Sequence, residues 1–380
     1  MANADVIVVG LGAMGAAAID HLAGRGVSVL GIERFENPHA LGSSGGDTRL
    51  IRKAYFEHPD YVPLLERAYA NWRALETDTG ESLLHGTGTV YLGYPDGELI
   101  AGSLRSASTH GIALEEIGPA SLAREFPQFH CPPGYVALYE PEAGFLLSER
   151  AVAAQVARAR SRGARVAAGE RVLDWQADGR GVRVITDRGH HQAGGLVLAA
   201  GSWSGDLVDC PGLELRVTRQ PMFWVRPPYA TPFGYGRSPC WVVQRPDRPG
   251  LFYGIPDLPA GMASRPGVKL AHHAPGEVAD PEAPRRPADL REFEALLDAV
   301  TPFLPGLAGP LGGAHVCTYT LSDDTHFVID VHPRHPNVVI ACGFSGHGFK
   351  FSSVVGEVLA DLAITGESPL PVAFLKLARR

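Results

Sequence analysis

The sequence predicts an α/β protein in which a Rossmann-type nucleotide domain carries a second, α+β domain built on a mixed or antiparallel sheet. Three observations predict it. Residues 5–33, DVIVVGLGAMGAAAIDHLAGRGVSVLGIE, hold a dinucleotide fingerprint, and strand and helix patterns of the same kind return at 147–218 and 322–380. Between 219 and 320 the chain turns instead to aromatic, β-prone runs broken by prolines. This assigns 1–84, 147–218 and 322–380 to a discontinuous nucleotide domain, and 85–146 and 219–321 to the second domain.

Within the fingerprint, Val6 to Val9 reads as a buried parallel strand because it is continuously apolar, and AAAIDHLAGRG reads as the helix after it. Gly10 makes the tight turn, Gly12 lets the backbone approach a pyrophosphate, and Gly15 lets helix and strand pack closely. The phosphates then meet free N–H groups at a helix N-terminus. A second strand, Val27 to Ile32, ends at Glu33, which is 18 residues beyond Gly15. An acid there accepts hydrogen bonds from a ribose and disfavours a 2′-phosphate. Glycines alone also occur in ordinary turns; the strand before, the helix after and the acid at the right distance supply the context that the motif needs. The motif does not separate NAD from FAD.

At 380 residues the chain exceeds what one core usually serves, which agrees with two domains. Its hydrophobic fraction of 45% and charged fraction of 20% are those of a soluble globular enzyme. A formal charge of −7 without a long basic run argues against nucleic acid or an anionic membrane as the main partner, and fits a cytoplasmic protein. No apolar stretch approaches the roughly 20 residues that span a bilayer. Asp5 follows the start too closely for a signal sequence, so the mature chain is expected to begin as written. Cys131, Cys210, Cys240, Cys317 and Cys342 form no C-x-x-C pair, so neither a disulfide framework nor a metal site is indicated.

After Glu33, a loop rich in glycine and serine leads to Arg49, Arg52 and Lys53, read as a helical start with Arg49 and Lys53 on one face. Three cations beside a nucleotide fold suggest an anionic ligand, against the alternative of a solvated basic turn. From Asp60 to Thr79 the apolar positions Leu64, Leu65, Ala68, Trp72 and Leu75 recur at helical spacing. GTGTVYLG, 86–93, alternates like a strand; 103–118 reads as helix, turn and strand; 126–144 is an excursion rich in proline and turn residues. A helix over Ser148 to Gly163, a strand over Arg165 to Ala168 and the pair VLDWQAD and VRVITD restore the nucleotide pattern. LVLAAG, 196–201, is a buried strand that ends in a turn small enough for close cofactor approach, although a plain tight turn explains it equally well. QPMFWV, CWVVQ and LFYGIP predict an antiparallel sheet, 281–287 a loop, and DLREFEALLDAVTPFL a helix. NVVIACG and VVGEVLADLAIT close the chain as strand and helix.

Three stretches combine with the fingerprint: GDTRLIRKAY at 46–55, HVCTYT at 315–320 and GFSGHGFKFS at 343–352. Together they resemble the monomeric sarcosine oxidase family, which includes N-methyltryptophan oxidase and pipecolate oxidase, over nearly the whole chain. The resemblance implies an FAD-binding, glutathione-reductase-like Rossmann domain and a catalytic domain on a mixed sheet. The implied reaction oxidises a secondary amino acid, N-methyl or cyclic, to an imine, and oxygen is reduced to hydrogen peroxide. It implies a monomer whose partners are small molecules.

By this resemblance Cys317 is the thioether link to the flavin, a role that suits the nucleophilicity of a thiolate; without it, Cys317 reads as a buried structural thiol. Arg52 and Lys350 match a pair of carboxylate-binding cations, in keeping with the bidentate grip of a guanidinium. Gly343, Gly346 and Gly348 admit the flavin's polar edge to backbone groups. Lys269 aligns with the lysine that activates oxygen, although alone it reads as a lysine at a strand edge. His273 and Tyr319 match catalytic pocket residues, Tyr253 a substrate contact, and Arg49 a cation beside the ring. Further cofactor contacts are implied at Arg34, Ser43, Thr48, Val172, Gly201 and Trp203, and Lys350 also lies against the cofactor. One position departs: Gly45 stands where the family carries a histidine, which is expected to open volume and remove a donor beside the flavin. The competing readings are a dehydrogenase of the same fold that uses another electron acceptor, which Lys269 disfavours, and a flavin-binding subunit without turnover, which the Arg52 and Lys350 pair disfavours.

Overall fold

The computed structural model describes residues 3–283 and 287–379. Its first sheet is organised around Asn3–Val9, which pairs in parallel with Gly189–Leu198 on one side and Val29–Glu33 on the other. Arg165–Ala168 extends one edge in parallel, His335–Cys342 runs parallel to Gly189–Leu198, and Val172–Ala177 with Val182–Thr186 form an antiparallel extension. Val6, Ile7, Val8 and Val9 are all buried, as a strand covered on both faces requires.

Helix Ala13–Gly24 packs closely on that sheet because Gly15 has no side chain: a Cβ there would stand 1.7 Å from the Gly10 carbonyl oxygen. Gly10 turns the chain between them at φ +85°, a conformation open to glycine and strained for most other residues. Helices Ser148–Ser161 and Ser352–Thr365 pack against the same helix. Helix Val62–Thr79 begins with Pro63 in its first turn and buries Leu64, Leu65, Ala68, Trp72 and Leu75, the face its periodicity predicts.

The second sheet has eight strands in the order Leu311–Ser322, Leu215–Val225, Val268–His273, Arg248–Ile255, Cys240–Arg245, Thr89–Gly93, Val136–Glu140 and Glu115–Glu116. Every pair is antiparallel except Cys240–Arg245 with Thr89–Gly93, so the sheet is mixed. Helix Leu290–Val300 packs on it, started by a capping box between Asp289 and Glu292. It is shorter than predicted: the last part of DLREFEALLDAVTPFL is turn, since Pro302 cannot continue a helix. Of the loop read at 281–287, residues 284–286 lie outside the described residues.

A third sheet corrects one reading. Arg49 and Lys53 do not share a helical face; Thr48–Ile51 is a strand, paired antiparallel with Gly144–Leu147, which also holds Leu84–Gly86. The apolar run of Gly144–Leu147 supplies a pairing partner distant in sequence, which outweighs the local helical spacing of the cations. The segment 86–93 likewise divides into Leu84–Gly86 and Thr89–Gly93, which enter different sheets. All five cysteines lie outside disulfides, and among the described residues no helix is long and apolar enough to cross a membrane.

Candidate active site

A long cavity opens at the carboxyl ends of the parallel strands. Its wall includes Gly10, Gly12, Glu33, Arg34, Ser43, Arg49, Val172, Gly201, Trp203, Gly343, Gly346 and Gly348, residues scattered over the chain that the sequence had marked for a cofactor. Gly12 opens onto this space, with nothing within 4 Å of where its Cβ would stand. The helix that begins at Ala13 has no side-chain cap and no acid in its first turn, so its N–H groups face the cavity ready for a pyrophosphate. Glu33 is buried; its Oε2 accepts from the Leu11 N–H at 2.7 Å and its Oε1 from the Phe35 N–H at 3.1 Å, which fixes a carboxylate at the end of its strand. Arg34 lies over the Trp203 ring at 5.3 Å. The walls therefore fit a dinucleotide. Gly15, Thr48, Cys317 and Lys350 do not line this cavity: Gly15 belongs to the helix–strand contact, Thr48 and Cys317 are buried, and Lys350 lines an adjoining cavity.

A second cavity adjoins the first through Arg49, Tyr319, Gly346 and Phe349 and also receives Arg52, Tyr253, His273 and Lys350. Arg52 and Lys350 are 5% and 6% exposed, so their charges sit in a site shielded from water. The guanidinium of Arg52 grips Glu57 through both carboxylate oxygens at 2.7 and 2.8 Å and lies over the Tyr55 and Phe56 rings. Burial works against the Glu57 charge, but Arg52 outweighs it, with His347 and Lys350 helping, and holds its pKa at about 2. Lys350 donates to the His347 carbonyl at 3.0 Å. Burial, then Arg52, pushes its pKa down to about 7, against the pull of Glu57.

His273 Nδ1 lies 3.2 Å from the Tyr319 hydroxyl, and burial lowers its pKa to about 4, so the ring is neutral near pH 7. Tyr253 is pushed up to about 12 by burial, against the pull of Arg49. Arg49 donates to the carbonyls of Thr48, Ser43 and Gly45 at 2.6–2.7 Å, which pins the glycine-rich loop against the wall shared by both cavities.

Lys269 is not at a strand edge. It sits on an inner strand of the mixed sheet, 2% exposed, and its Nζ donates to the Gly46 and Thr48 carbonyls at 2.7 Å and the Thr48 hydroxyl at 3.3 Å. Burial first and Arg49 second pull its pKa well below the ordinary lysine value. Thr48 thus serves as an acceptor for Lys269.

Two residues that sequence reasoning passed over belong to this region. Glu57 accepts from Nη2 of Arg52; its signal was an acid five residues after that arginine, on the same loop. His315 alternates with Cys317 and Tyr319 along Leu311–Ser322, which places all three on one face of the strand. Its Nε2 is buried without a hydrogen-bond partner among the described residues. A Cβ at Gly45 would stand 2.7 Å from that nitrogen and 2.7 Å from the Ala40 oxygen. The volume expected to be open at Gly45 is therefore filled by an imidazole from another strand. Burial holds the pKa of His315 near 4, with Arg265 and Arg49 adding to the shift.

A sheet whose parallel strands end at a phosphate-ready helix, joined to a mixed sheet that supplies Tyr253, His273 and Tyr319 to the adjoining cavity, is the architecture of a flavin-dependent oxidoreductase. The chain belongs to the FAD dependent oxidoreductase family, whose model matches residues 5–362. It is 40% identical over 371 residues to a monomeric sarcosine oxidase of Streptomyces avermitilis, covering 97% of this chain and 95% of that one. It is 32% identical to an N-methyl-L-tryptophan oxidase of Yersinia pestis, covering 99% of each. Among solved structures, the open form of NikD, an unusual amino acid oxidase essential for nikkomycin biosynthesis, superposes with a TM-score of 0.86 at 27% identity, covering 99% of this chain and 98% of that one.

Proposed function

We propose that this protein oxidises secondary amino acids, N-methyl or cyclic, at a carbon–nitrogen bond of the amine, giving an imine and hydrogen peroxide. The observation that carries the reading is the arginine and lysine pair buried in the cavity next to the cofactor cavity. Held in the cavity lined by Gly12, Glu33, Gly201 and Gly343, FAD would supply the hydride acceptor and the route by which electrons reach oxygen.

The chain's own residues bind and orient. Arg52 already holds one carboxylate, that of Glu57, both of whose oxygens accept from its Nη2, so a substrate carboxylate replaces Glu57 on that nitrogen while Lys350 offsets its remaining charge. That contact fixes the amine end toward the shared wall, and orientation of this kind lowers the barrier without chemical participation. Tyr253, His273 and Tyr319 line the same space. Neutral His273, facing the Tyr319 hydroxyl, is a proton acceptor within reach of the amine end.

Cys317 is assigned as the covalent attachment point of the flavin. Its place beside Arg49, whose charge favours a thiolate against the effect of burial, supports that role. Lys269 is assigned to the oxygen step, since a held cation stabilises charge that develops on oxygen. We further assign 1–84, 147–218 and 322–380 to the FAD domain and the remainder to the catalytic domain, and read the protein as a cytoplasmic monomer. Peroxide released from a panel of N-methyl amino acids tests the activity; a silent panel overturns it.

A further inference from the structure

The exchange between Gly45 and His315 reaches further than the volume the two share. Gly42, Ser43 and Ser44 line the cofactor cavity, and the Gly45–Gly46 peptide that follows them ties three charged side chains to it. The Gly45 carbonyl accepts from Arg49 at 2.7 Å, the Gly46 carbonyl accepts from Lys269 at 2.7 Å, and the Gly46 N–H donates to Glu149 at 2.7 Å. Both glycines leave one side of this peptide bare, and the His315 ring lies there: its Nε2 is 2.7 Å from where a Cβ of Gly45 would stand, and its Cδ2 is 3.4 Å from that of Gly46. Met222, paired with His315 across the sheet, backs Gly46 as well. The ring is two residues from Cys317 on the same face of its strand. Burial, with Arg265 and Arg49, keeps it neutral near pH 7, so it lies beside the cations without repelling them. Its buried Nε2 has no hydrogen-bond partner among the described residues, a cost that a leucine of similar bulk would avoid. Filling space therefore does not account for a histidine here.

We propose that His315 is a positioning residue for the flavin: it supplies from the strand the imidazole that Gly45 withdraws from the loop. Its ring sets the Gly45–Gly46 peptide, and with it Arg49 and Lys269, against the cofactor, and its Nε2 is directed at the turn that lines the cofactor cavity. The inference needs a flavin at this wall and does not depend on which amine is oxidised.

The test therefore uses no amine. The flavin-loaded protein is reduced with just enough dithionite, and reoxidation by oxygen is followed in each variant beside flavin content, flavin spectrum and thermal midpoint. His315→Ala and His315→Leu should each slow reoxidation by roughly tenfold, as a small misplacement of a reacting group does. Gly45→His should slow it as well, because its side chain meets His315; Ala40, exposed on the same turn, can yield, whereas a paired strand residue cannot. Gly45→His combined with His315→Ala should return the rate to within about threefold of the unmodified protein, whereas independent effects would multiply to a loss of roughly a hundredfold. Structural damage does not produce recovery when the imidazole is moved from strand to loop. An unmodified rate in His315→Leu, or a double variant no faster than the slower single one, overturns the proposal. Lys269→Met, measured alongside, keeps the oxygen assignment separate: slowing there with none in His315→Ala overturns this proposal alone, and slowing in neither overturns both.

Discussion

Arg52 is the residue on which the account turns, because in the free protein it holds Glu57 and in the complex it must hold the substrate. Arg52→Ala removes the partner of the substrate carboxylate, so substrate binding should weaken by about 2 to 5 kcal/mol while flavin content hardly changes. Lys350→Ala should act in the same direction. Glu57→Gln removes the competing charge and should lower KM several-fold. Steady-state kinetics on the three variants, with flavin content measured from absorbance, check this. The pH dependence follows from Lys350: its pKa near 7 in the free protein means that raising pH through that value discharges the ammonium, so kcat/KM should fall above about pH 7. His273, near 4, contributes no inflection there.

Lys269 and Cys317 make predictions of a different kind. Lys269→Met should slow reoxidation by oxygen by roughly a hundredfold, as loss of one preorganised electrostatic group does. Anaerobic reduction of the flavin by substrate should stay within about tenfold, or about 1.4 kcal/mol. Stopped-flow absorbance separates the two; equal slowing would show that Lys269 supports the pocket generally, as its three hydrogen bonds to the loop at Gly46 and Thr48 also permit. Cys317→Ser should yield protein whose flavin is released by acid, whereas the unmodified protein should stay yellow after precipitation.

Among the elements, those with strong local signals were legible. The fingerprint strand and helix, Val62–Thr79, Arg165–Ala168 and the hairpin that follows all lie where apolar periodicity and glycine placement put them. Thr48–Ile51 was not legible, because its conformation is set by a strand nearly a hundred residues away. The exchange between Gly45 and His315 was hidden for the same reason: two segments remote in sequence share one volume, and each alone looks like a departure or an unremarkable histidine. The capping box of Leu290–Val300 offers a simple check on an element. Asp289→Ala should cost about 1 kcal/mol, read as a small drop in the thermal midpoint without loss of bound flavin.

For the molecule as a whole, composition and the fingerprint pointed to the nucleotide sheet, but nothing in a linear reading showed how the mixed sheet meets it. The shared wall is assembled from Arg49, Tyr319, Gly346 and Phe349, which come from three distant parts of the chain. That Arg52 and Lys350 meet in one cavity was legible only through the resemblance of GDTRLIRKAY and GFSGHGFKFS; the larger cavity adjoining it, lined by helix, strand and loop residues with no common motif, was not legible at all.

The central claim is that a secondary amino acid held in this cavity reduces the flavin directly. The measurement that tests it most closely is anaerobic mixing of the flavin-loaded protein with N-methyl amino acids, followed by admission of oxygen, with the flavin absorbance recorded throughout. The account predicts bleaching of the flavin band that saturates with substrate, then its full return with one equivalent of hydrogen peroxide per flavin. A flavin band that stays unchanged with every N-methyl and cyclic amino acid, in protein shown to be folded and loaded, would contradict it.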